Sequence, residues 1–181
     1  EVQHLFQKPK TSTFVRFECI KECECGSKCQ NRRVQNGRQH PLLVFRHPKK
    51  GWTLRVLTEL DKDEFLAEYV GKLNAEHSEG RAQNYDYDLG FGIDRGYGKK
   101  KPLTICAFHK GNETRFMSHS CKPNIYNECT IIERQGMYLN RGAFRAVRKL
   151  IRGEEIAFDY FPGKDRDSDD VDFSKMFDEC W

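Results

Sequence analysis

Residues 115–124 of the chain read Arg115-Phe-Met-Ser-His-Ser-Cys-Lys-Pro-Asn124. Ser, His, Cys, Pro and Asn crowded into one short stretch are typical of a tight, irregular loop. His119 and Cys121 could instead form a nucleophile pair. That alternative is weaker, because side chains two residues apart do not face each other in regular structure, and no carboxylate that would orient the histidine is evident.

Short apolar runs lie on both sides of this segment, separated by Gly, Asn and charged residues. Such runs with turn residues between them are typical of β-strands, so residues 41–162 are predicted to form a mainly β domain of small sheets. A short helix over Ala75–Gln83 and a helical turn over Asn112–Met117 are also expected. The strands are predicted at Leu42–Val44, Trp52–Leu57, Phe65–Val70, Tyr85–Leu89, Leu103–Cys106, Asn127–Ile132, Tyr138–Ala146 and Glu155–Tyr160.

Four of the eight cysteines lie close together in the pattern C-x3-C-x-C-x3-C. Cysteines this close cannot easily form disulfides with each other, because the bond needs a specific Cα separation and Cβ direction. Thiolates bind zinc tetrahedrally, and a metal would fold a segment that has no hydrophobic core of its own. The pattern therefore predicts zinc, with the number of ions left open and a set of free thiols as the alternative. The predicted ligands are Cys19, Cys23, Cys25 and Cys29.

The composition excludes several classes of protein. The chain has 181 residues, which fits one domain with a small appendage. Hydrophobic residues make up 38% of it, and the 12% that are aromatic can fill a core. No apolar run approaches the roughly 18 residues of a membrane span, and residues 1–10 do not resemble a signal sequence. We therefore expect neither a membrane protein nor a secreted disulfide protein.

The net charge of +4 is unevenly distributed. Residues 1–50 carry +7, residues 51–162 carry +1 and residues 163–181 carry −4. The charged ends could simply be solvated, or the acidic tail could lie near a cationic substrate and attract it. Composition also divides the chain into three parts, a cysteine-rich segment (1–40), a β domain (41–162) and an acidic, aromatic tail (163–181).

Two further motifs flank the irregular segment. Lys50-Gly-Trp-Thr-Leu-Arg55 is a turn followed by a strand, in which the glycine lets the backbone approach a ligand and the tryptophan can stack on one. A plain hairpin with a tryptophan in the core is the alternative. Glu154-Glu-Ile-Ala-Phe-Asp-Tyr160 is a strand with aromatic residues near its end, for which core packing is the alternative.

Taken in order, the motifs of residues 17–162 resemble those of SET-domain protein lysine methyltransferases. The cysteine-rich opening is similar to the second half of the pre-SET zinc module of the suppressor-of-variegation class, which methylates lysine 9 of histone H3. The family implies a fold of small β-sheets in which Arg115–Cys121 threads under a loop beside Phe158–Tyr160, a knot-like exception to usual topology. The motifs are E-C-x3-C-x-C-x3-C-x-N-R-x-V-Q-x-G, K-G-W-x-L-R, E-Y-V-G, Y-x-Y-D-L, R-F-M-S-H-S-C-K-P-N and G-E-E-I-A-F-D-Y.

The resemblance also implies S-adenosylmethionine (SAM) as the methyl donor. Tyr160 matches the catalytic tyrosine, and Tyr85 matches the tyrosine at the junction of cofactor and lysine. Phe158 matches the position that tunes how many methyl groups are added, and a phenylalanine there implies di- or trimethylation. By resemblance, the residues that bind the cofactor are Lys50, Gly51, Trp52, Tyr85, Arg115, Ser118, His119 and Tyr160.

Two residues depart from the family's pattern at the expected cofactor site. Ser118 stands where asparagine is usual, and this change is expected to weaken SAM binding unless backbone contacts carry it. Thr53 stands where a second glycine is usual. If the backbone there needs a positive φ, the Cβ of threonine is expected to crowd the cofactor.

The cysteines depart from the family's pattern as well. The family's pre-SET cluster holds three zinc ions with nine cysteines, whereas residues 1–40 offer four. The family's post-SET zinc pairs the cysteine matching Cys121 with a C-x-C-x4-C tail, of which only Cys180 is present. We expect Cys121 and Cys180 to be remnants of that second metal site, and Cys106 and Cys129 to be core thiols.

The sequence therefore predicts a SAM-dependent lysine methyltransferase that acts on a histone tail in chromatin, in the nucleus. Sequence-specific binding of nucleic acid is not expected. A weakly active or inactive SET-derived chromatin-binding or scaffold protein is the alternative from another class. A methyltransferase for a non-histone lysine is a third possibility.

Overall fold

The computed structural model describes residues 15–74, 85–89, 104–134 and 137–160. Within these ranges the chain forms short strands and one 3-10 helix (Glu113–Phe116), so the predicted mainly β fold is confirmed. The predicted helix over Ala75–Gln83 and the tail over 163–181 lie outside the described residues. The strands are β1 (Val15–Phe17), β2 (Leu42–His47), β3 (Gly51–Val56), β4 (Phe65–Tyr69), β5 (Gly71–Asn74), β6 (Asp86–Asp88), β7 (Thr104–Gly111), β8 (Ser118–His119), β9 (Ile125–Arg134), β10 (Met137–Ala146) and β11 (Ala157–Phe158).

The largest sheet has six strands, in the order β4-β10-β9-β11-β8, with β1 paired along another part of β9. Its centre is the antiparallel pair of β9 and β10, which stays in register from Tyr138 opposite Glu133 to Ala146 opposite Ile125. The branched and aromatic side chains of β9 favour this pleated, half-buried setting. The pair forms the support on which the short strands β8 and β11 are placed.

Two smaller sheets complete the described structure. β2 and β3 form an antiparallel hairpin from Leu42 opposite Val56 to His47 opposite Gly51. Gly51 has a φ of 79°, the left-handed region that glycine enters without strain, so it suits the turn into β3. The third sheet has the order β5-β7-β6.

One hydrophobic core joins residues from all three sheets. Tyr69 and Tyr87 stack with ring centroids 5.0 Å apart, and Phe144 meets both rings edge-on at 6.2 and 6.0 Å. A Cβ at Gly142 would lie 2.6 Å from a ring carbon of Tyr87, so the absence of a side chain there lets the ring pack on β10. The core thus packs a cluster of aromatic rings against Phe158 of β11.

Residues 154–158 lie between two other parts of the chain and bond to both. On one side, the N–H of Ile156 donates to the carbonyl of Leu54 at 2.9 Å. On the other side, β11 pairs in parallel with β8, and the N–H of Ser120 donates to the carbonyl of Phe158 at 3.1 Å. The Asn124 side chain closes this side, since it accepts from the Ala157 N–H at 2.9 Å and donates to the Glu155 carbonyl at 2.9 Å. These contacts interlock residues 154–158 with β3 and β8, and they place Ser118–His119 of the predicted Arg115–Cys121 stretch beside Phe158, as the resemblance predicts.

A buried ion-pair cluster attaches the N-terminal segment to the main sheet. The Glu128 carboxylate on β9 is 2% exposed and accepts from Arg145 Nε at 2.8 Å and from Arg16 Nε at 2.9 Å. The Thr130 hydroxyl donates to the same carboxylate at 3.2 Å. Because β1 also pairs in parallel with β9, both backbone and charge hold the cysteine-rich segment against the domain.

The strand predictions that fall on described residues each coincide with a strand, and the helical turn over Asn112–Met117 is confirmed as the 3-10 helix. The prediction over Glu155–Tyr160 was too long. Ile156 bonds to Leu54 of β3, and only the next two residues, Ala157–Phe158, form the strand that pairs with β8. β1, β5 and β8 were missed. Among the described residues, no helix has the length and apolar character needed to cross a bilayer.

Candidate functional site

Aromatic rings gather where β11 ends. The Phe158 ring lies 4.9 Å from that of Phe144 and 4.7 Å from that of Tyr160, measured between centroids. His119 meets Tyr160 at 5.3 Å in a nearly edge-on contact. The parallel pairing of Phe158 with His119 in β11 and β8 brings these residues together from distant parts of the sequence. The result is a wall of aromatic faces, a surface that attracts cations.

The Tyr160 hydroxyl is fixed at this wall. It donates a hydrogen bond to the carbonyl oxygen of Met117. Loss of hydration on burial, with a smaller contribution from Tyr85, raises the pKa of Tyr160 to about 12. The phenol therefore stays neutral at physiological pH, and its oxygen keeps lone pairs for a further contact.

Tyr85 has a strained backbone that the surrounding structure holds in place. Its φ of 122° lies in a region that bulky residues rarely adopt. Its carbonyl oxygen accepts from the Tyr69 hydroxyl at 2.9 Å and from the Ala107 N–H at 3.1 Å. The Arg115 guanidinium carbon lies 4.5 Å above its ring. Strain retained by this many contacts is typical of a functional site.

Arg115 is also notable for an unsatisfied group. Its Nε is buried and has no hydrogen-bond partner among the described residues. A buried guanidinium nitrogen without a partner costs free energy, so such an atom points to a ligand that accepts from it. The resemblance assigns Arg115 to the cofactor, and this orphaned donor fits that assignment.

His119 has a defined tautomer. Its Nδ1 accepts from the Tyr160 N–H at 3.2 Å, so the neutral ring carries its proton on Nε2. Nε2 lies 3.5 Å from the Cys121 sulfur. The expectation that these two side chains would not face each other was wrong, because the chain turns out of β8 between them. A nucleophilic role for Cys121 does not follow, since its sulfur is disulfide-bonded.

The Lys50-Gly51-Trp52 turn carries the other predicted cofactor residues. Lys50 Nζ forms an ion pair with Glu155 Oε1 at 2.8 Å. Trp52 is 60% exposed, so the alternative of a core tryptophan is wrong. Thr53 lies in β3 and is not among the described residues with positive φ, so the backbone strain that would make its Cβ intrude is absent there.

The structure thus connects the predicted site residues in two groups. Tyr160, Phe158 and His119 lie in one aromatic cluster, and Tyr85 is near enough to influence the pKa of Tyr160. In the second group, Lys50 forms an ion pair with Glu155, and the Thr53 hydroxyl lies within hydrogen-bond distance of both Glu155 and Ser118. No role was predicted for Glu155, Met117 or Tyr69. Each left a signal only as a member of a quoted motif: Glu155 in the strand motif that also holds Phe158 and Tyr160, Met117 in R-F-M-S-H-S-C-K-P-N, and Tyr69 in E-Y-V-G.

Three of the four clustered cysteines converge. The sulfur atoms of Cys19, Cys25 and Cys29 all lie within 4.8 Å of one another. Asn31 donates to two of these sulfurs, from its N–H to Cys29 and from Nδ2 to Cys19, both at 3.4 Å. Three sulfur ligands are the donor set that zinc prefers, so the group could hold one ion with an open fourth position.

The remaining cysteines do not join this group of three sulfur atoms among the described residues. Cys23 is not in the sulfur group, so the structure does not bring all four predicted ligands together. Cys121 is not in it either, and Cys180 lies outside the described residues. Cys106 and Cys129 are buried on strands, as predicted, and burial raises the pKa of the Cys106 thiol. The Arg32 guanidinium lowers the pKa of Cys25, which favours its thiolate.

Residues 51–161 match the SET domain, and the chain belongs to the SET-domain family. Over 166 residues it is 36% identical to the histone-lysine N-methyltransferase Su(var)3-9 of Drosophila melanogaster, covering 88% of this chain and 26% of that protein. The predicted resemblance to the suppressor-of-variegation class is confirmed.

Two solved structures share the fold. SUVH6 of Arabidopsis thaliana in complex with SAM superimposes with a TM-score of 0.70 at 30% identity, over 86% of this chain and 34% of that one. KRYPTONITE in complex with mCHH DNA, an H3(1-15) peptide and SAH superimposes with a TM-score of 0.66 at 30% identity, over 85% and 30%. The chain therefore spans about a third or less of the length of these proteins.

Proposed function

We propose that this chain transfers methyl groups from SAM to a lysine side chain, on the tail of histone H3, in the manner of the lysine 9 class. The observation that carries the proposal is the fixed Tyr160 hydroxyl, set in a wall of aromatic rings beside a strained Tyr85 and the orphaned donor of Arg115. The relative that acts on histone lysine, and the solved structures with SAM or with an H3 peptide and SAH, support it.

The residues present fit SAM. The buried Arg115 Nε offers a hydrogen bond, Gly51 has the left-handed backbone that permits close approach, and Trp52 exposes a ring that can stack. Lys50, Ser118 and His119 complete the group that would hold the cofactor. When bound, SAM would supply a methyl group activated by its sulfonium charge.

The protein's part in the reaction is to desolvate and align the lysine. The amine must be neutral to attack, and a dry aromatic channel lowers the pKa of a lysine, as would a nearby positive charge. Positioning the amine against the methyl group then supplies much of the rate. Because the Tyr160 hydroxyl donates to Met117, its oxygen lone pairs are available to stabilise positive charge that develops on the methyl group. No carboxylate is needed as a general base.

The proposal is tested by incubating the protein with labelled SAM and core histones, while SAM binding is measured by calorimetry. We expect label on H3 and saturable binding. No transfer together with no binding would overturn the proposal. Binding of histone peptide without transfer would instead favour the alternative of a SET-derived chromatin-binding protein, and label on another protein but not on histones would favour a non-histone substrate.

Phe158→Tyr is expected to shift the products toward monomethyl-lysine. Phe158 is buried and contacts the rings of Phe144 and Tyr160, so an added hydroxyl would take space beside these rings, where the resemblance implies that a tyrosine holds a water. Mass spectrometry of an H3 peptide, sampled through the time course, measures the ratio of mono- to di- and trimethyl product. An unchanged ratio would show that Phe158 does not set the product.

We also propose that Cys19, Cys25 and Cys29 hold structural zinc, with Cys23 as a further candidate ligand. Cys25→Ser is expected to remove most of the metal, because it takes one of three converging sulfurs, and to lower the temperature at which the N-terminal segment unfolds. Elemental analysis measures the zinc per chain. Cys129→Ser, a buried thiol outside the group, is the matched control and should retain the metal. Equal zinc in both variants would contradict the proposal.

The remaining proposals concern organisation and location. Residues 1–40 would form the partial pre-SET segment, 41–162 the catalytic domain and 163–181 a shortened post-SET tail. The expectation that Cys121 is a metal remnant beside Cys180 is not kept, because the sulfur of Cys121 is disulfide-bonded and so offers no thiolate. A histone methyltransferase would work on chromatin in the nucleus. We infer no sequence-specific contact with nucleic acid.

A further inference from the structure

Thr53 and Ser118, the two residues at which this chain departs from the SET pattern, touch each other. Their hydroxyl oxygens lie 2.9 Å apart, although 65 positions separate them in sequence. Thr53 is 0% exposed, so its hydroxyl has no solvent to bond with. We infer that the two hydroxyls act as one positioning element for the SAM site, an inference that rests on the proposed function.

The pair belongs to a longer chain of hydrogen bonds. The Thr53 hydroxyl donates to Glu155 Oε1 at 3.2 Å, and the same oxygen accepts from Lys50 Nζ at 2.8 Å. A hydroxyl has one proton, so Thr53 must accept from Ser118. The order therefore runs from the Ser118 hydroxyl through Thr53 to the carboxylate, with the Lys50 ammonium on its far side. Hydrogen bonds aligned in this way polarise and strengthen one another.

This chain connects the three segments that form the cofactor site. Lys50 precedes the turn with Gly51 and Trp52, Ser118 begins β8 directly before His119, and Glu155 precedes β11, which leads to Tyr160. The Thr53 hydroxyl is thus the bridge between the Lys50 turn and β8. Its loss would leave the carboxylate bonded to Lys50 but would release Ser118 from both.

The two departures from the family's pattern are in direct contact. Relative to the family's pattern, position 118 loses an amide and position 53 gains a hydroxyl and a methyl group, in contact with it. The two departures therefore meet in one hydrogen bond inside this chain. For that reason Ser118 is not a simple loss, and the two positions depend on each other.

The test compares Thr53→Ala, Ser118→Ala and the double variant, by calorimetric titration with SAM and by steady-state kinetics on an H3 peptide. We expect each single variant to raise the dissociation constant and the KM for SAM about fivefold, as for the loss of one hydrogen bond, with kcat little changed. The double variant should lose no more than either single one, because residues in one network are not additive. Thr53→Ser, which keeps the hydroxyl, should restore binding.

Thr130→Ala is the matched control, since Thr130 is equally buried and its hydroxyl also donates to a carboxylate, Glu128, at 3.2 Å. It should lower thermal stability without changing SAM affinity. Additive losses at positions 53 and 118, or affinity in Thr53→Ala equal to that of the wild type, would overturn the inference alone. Absence of SAM binding by the wild-type chain would overturn the proposed function and this inference with it.

Discussion

Tyr160→Phe should reduce methyl transfer by roughly 100- to 1,000-fold, the loss typical when one preorganised polar group is removed from a transition-state site. The phenyl ring would keep its contacts with Phe158 and His119, so the fold should survive. What is lost is the oxygen held by the Met117 carbonyl, and with it the lone pairs proposed to stabilise the developing charge. The variant should still bind SAM.

Single-turnover transfer to an H3 peptide, with SAM affinity measured alongside, separates the two effects. Tyr138→Phe is the matched control, because Tyr138 is a 62% exposed tyrosine on β10, and its activity should equal that of the wild type. A Tyr160→Phe enzyme with full activity would show that Tyr160 is not the catalytic tyrosine. A variant that no longer binds SAM would place Tyr160 in cofactor binding instead.

Glu128→Ala should lower the free energy of unfolding by about 3–5 kcal/mol, the usual cost of breaking a buried ion pair from one side. The Arg145 guanidinium would stay buried and keep its bond to the Asp63 carbonyl at 3.2 Å, but it would have no carboxylate in place of Glu128. Arg16 would be released too, which would loosen β1 and the cysteine-rich segment behind it.

Urea denaturation, followed by two spectroscopic probes with zinc present, measures this loss. Glu59→Ala is the control, because the Glu59–Lys149 pair is 3.0 Å long but mostly exposed, and such pairs contribute less than about 1 kcal/mol. If the two variants lost equal stability, the buried cluster would not be what attaches the N-terminal segment to the sheet.

Much of the fold could be predicted from sequence, because many strands appear locally as alternating or continuous apolar residues. The alternation in Trp52–Leu57 and the apolar run in Phe65–Val70 are visible without knowing their partners. β8 could not be found in this way, since two residues inside an irregular segment show no period. Its pairing partner, β11, comes from far along the chain. Long-range pairing of short strands is decided by tertiary contacts rather than by local preference.

The candidate site was predicted to a similar degree. Motif resemblance gave the identities of Tyr160, Tyr85 and Phe158, but not the strained φ of Tyr85 or the Met117 carbonyl that fixes Tyr160. Ser118 and Thr53 were each interpreted as a defect, because sequence does not show that they are in contact. Only the folded chain reveals that the two changes form one hydrogen bond.

The interlocked segment has a consequence for how this protein is made. Residues 154–158 are synthesised after both of the segments they lie between. Ile156 bonds to Leu54 on one side, and Phe158 bonds to Ser120, just after β8, on the other. Contacts across such sequence distances form slowly. The proposed SAM site of the growing chain would therefore stay open until Ala157–Phe158 pairs with Ser118–His119, so cofactor binding would report that this pairing has formed.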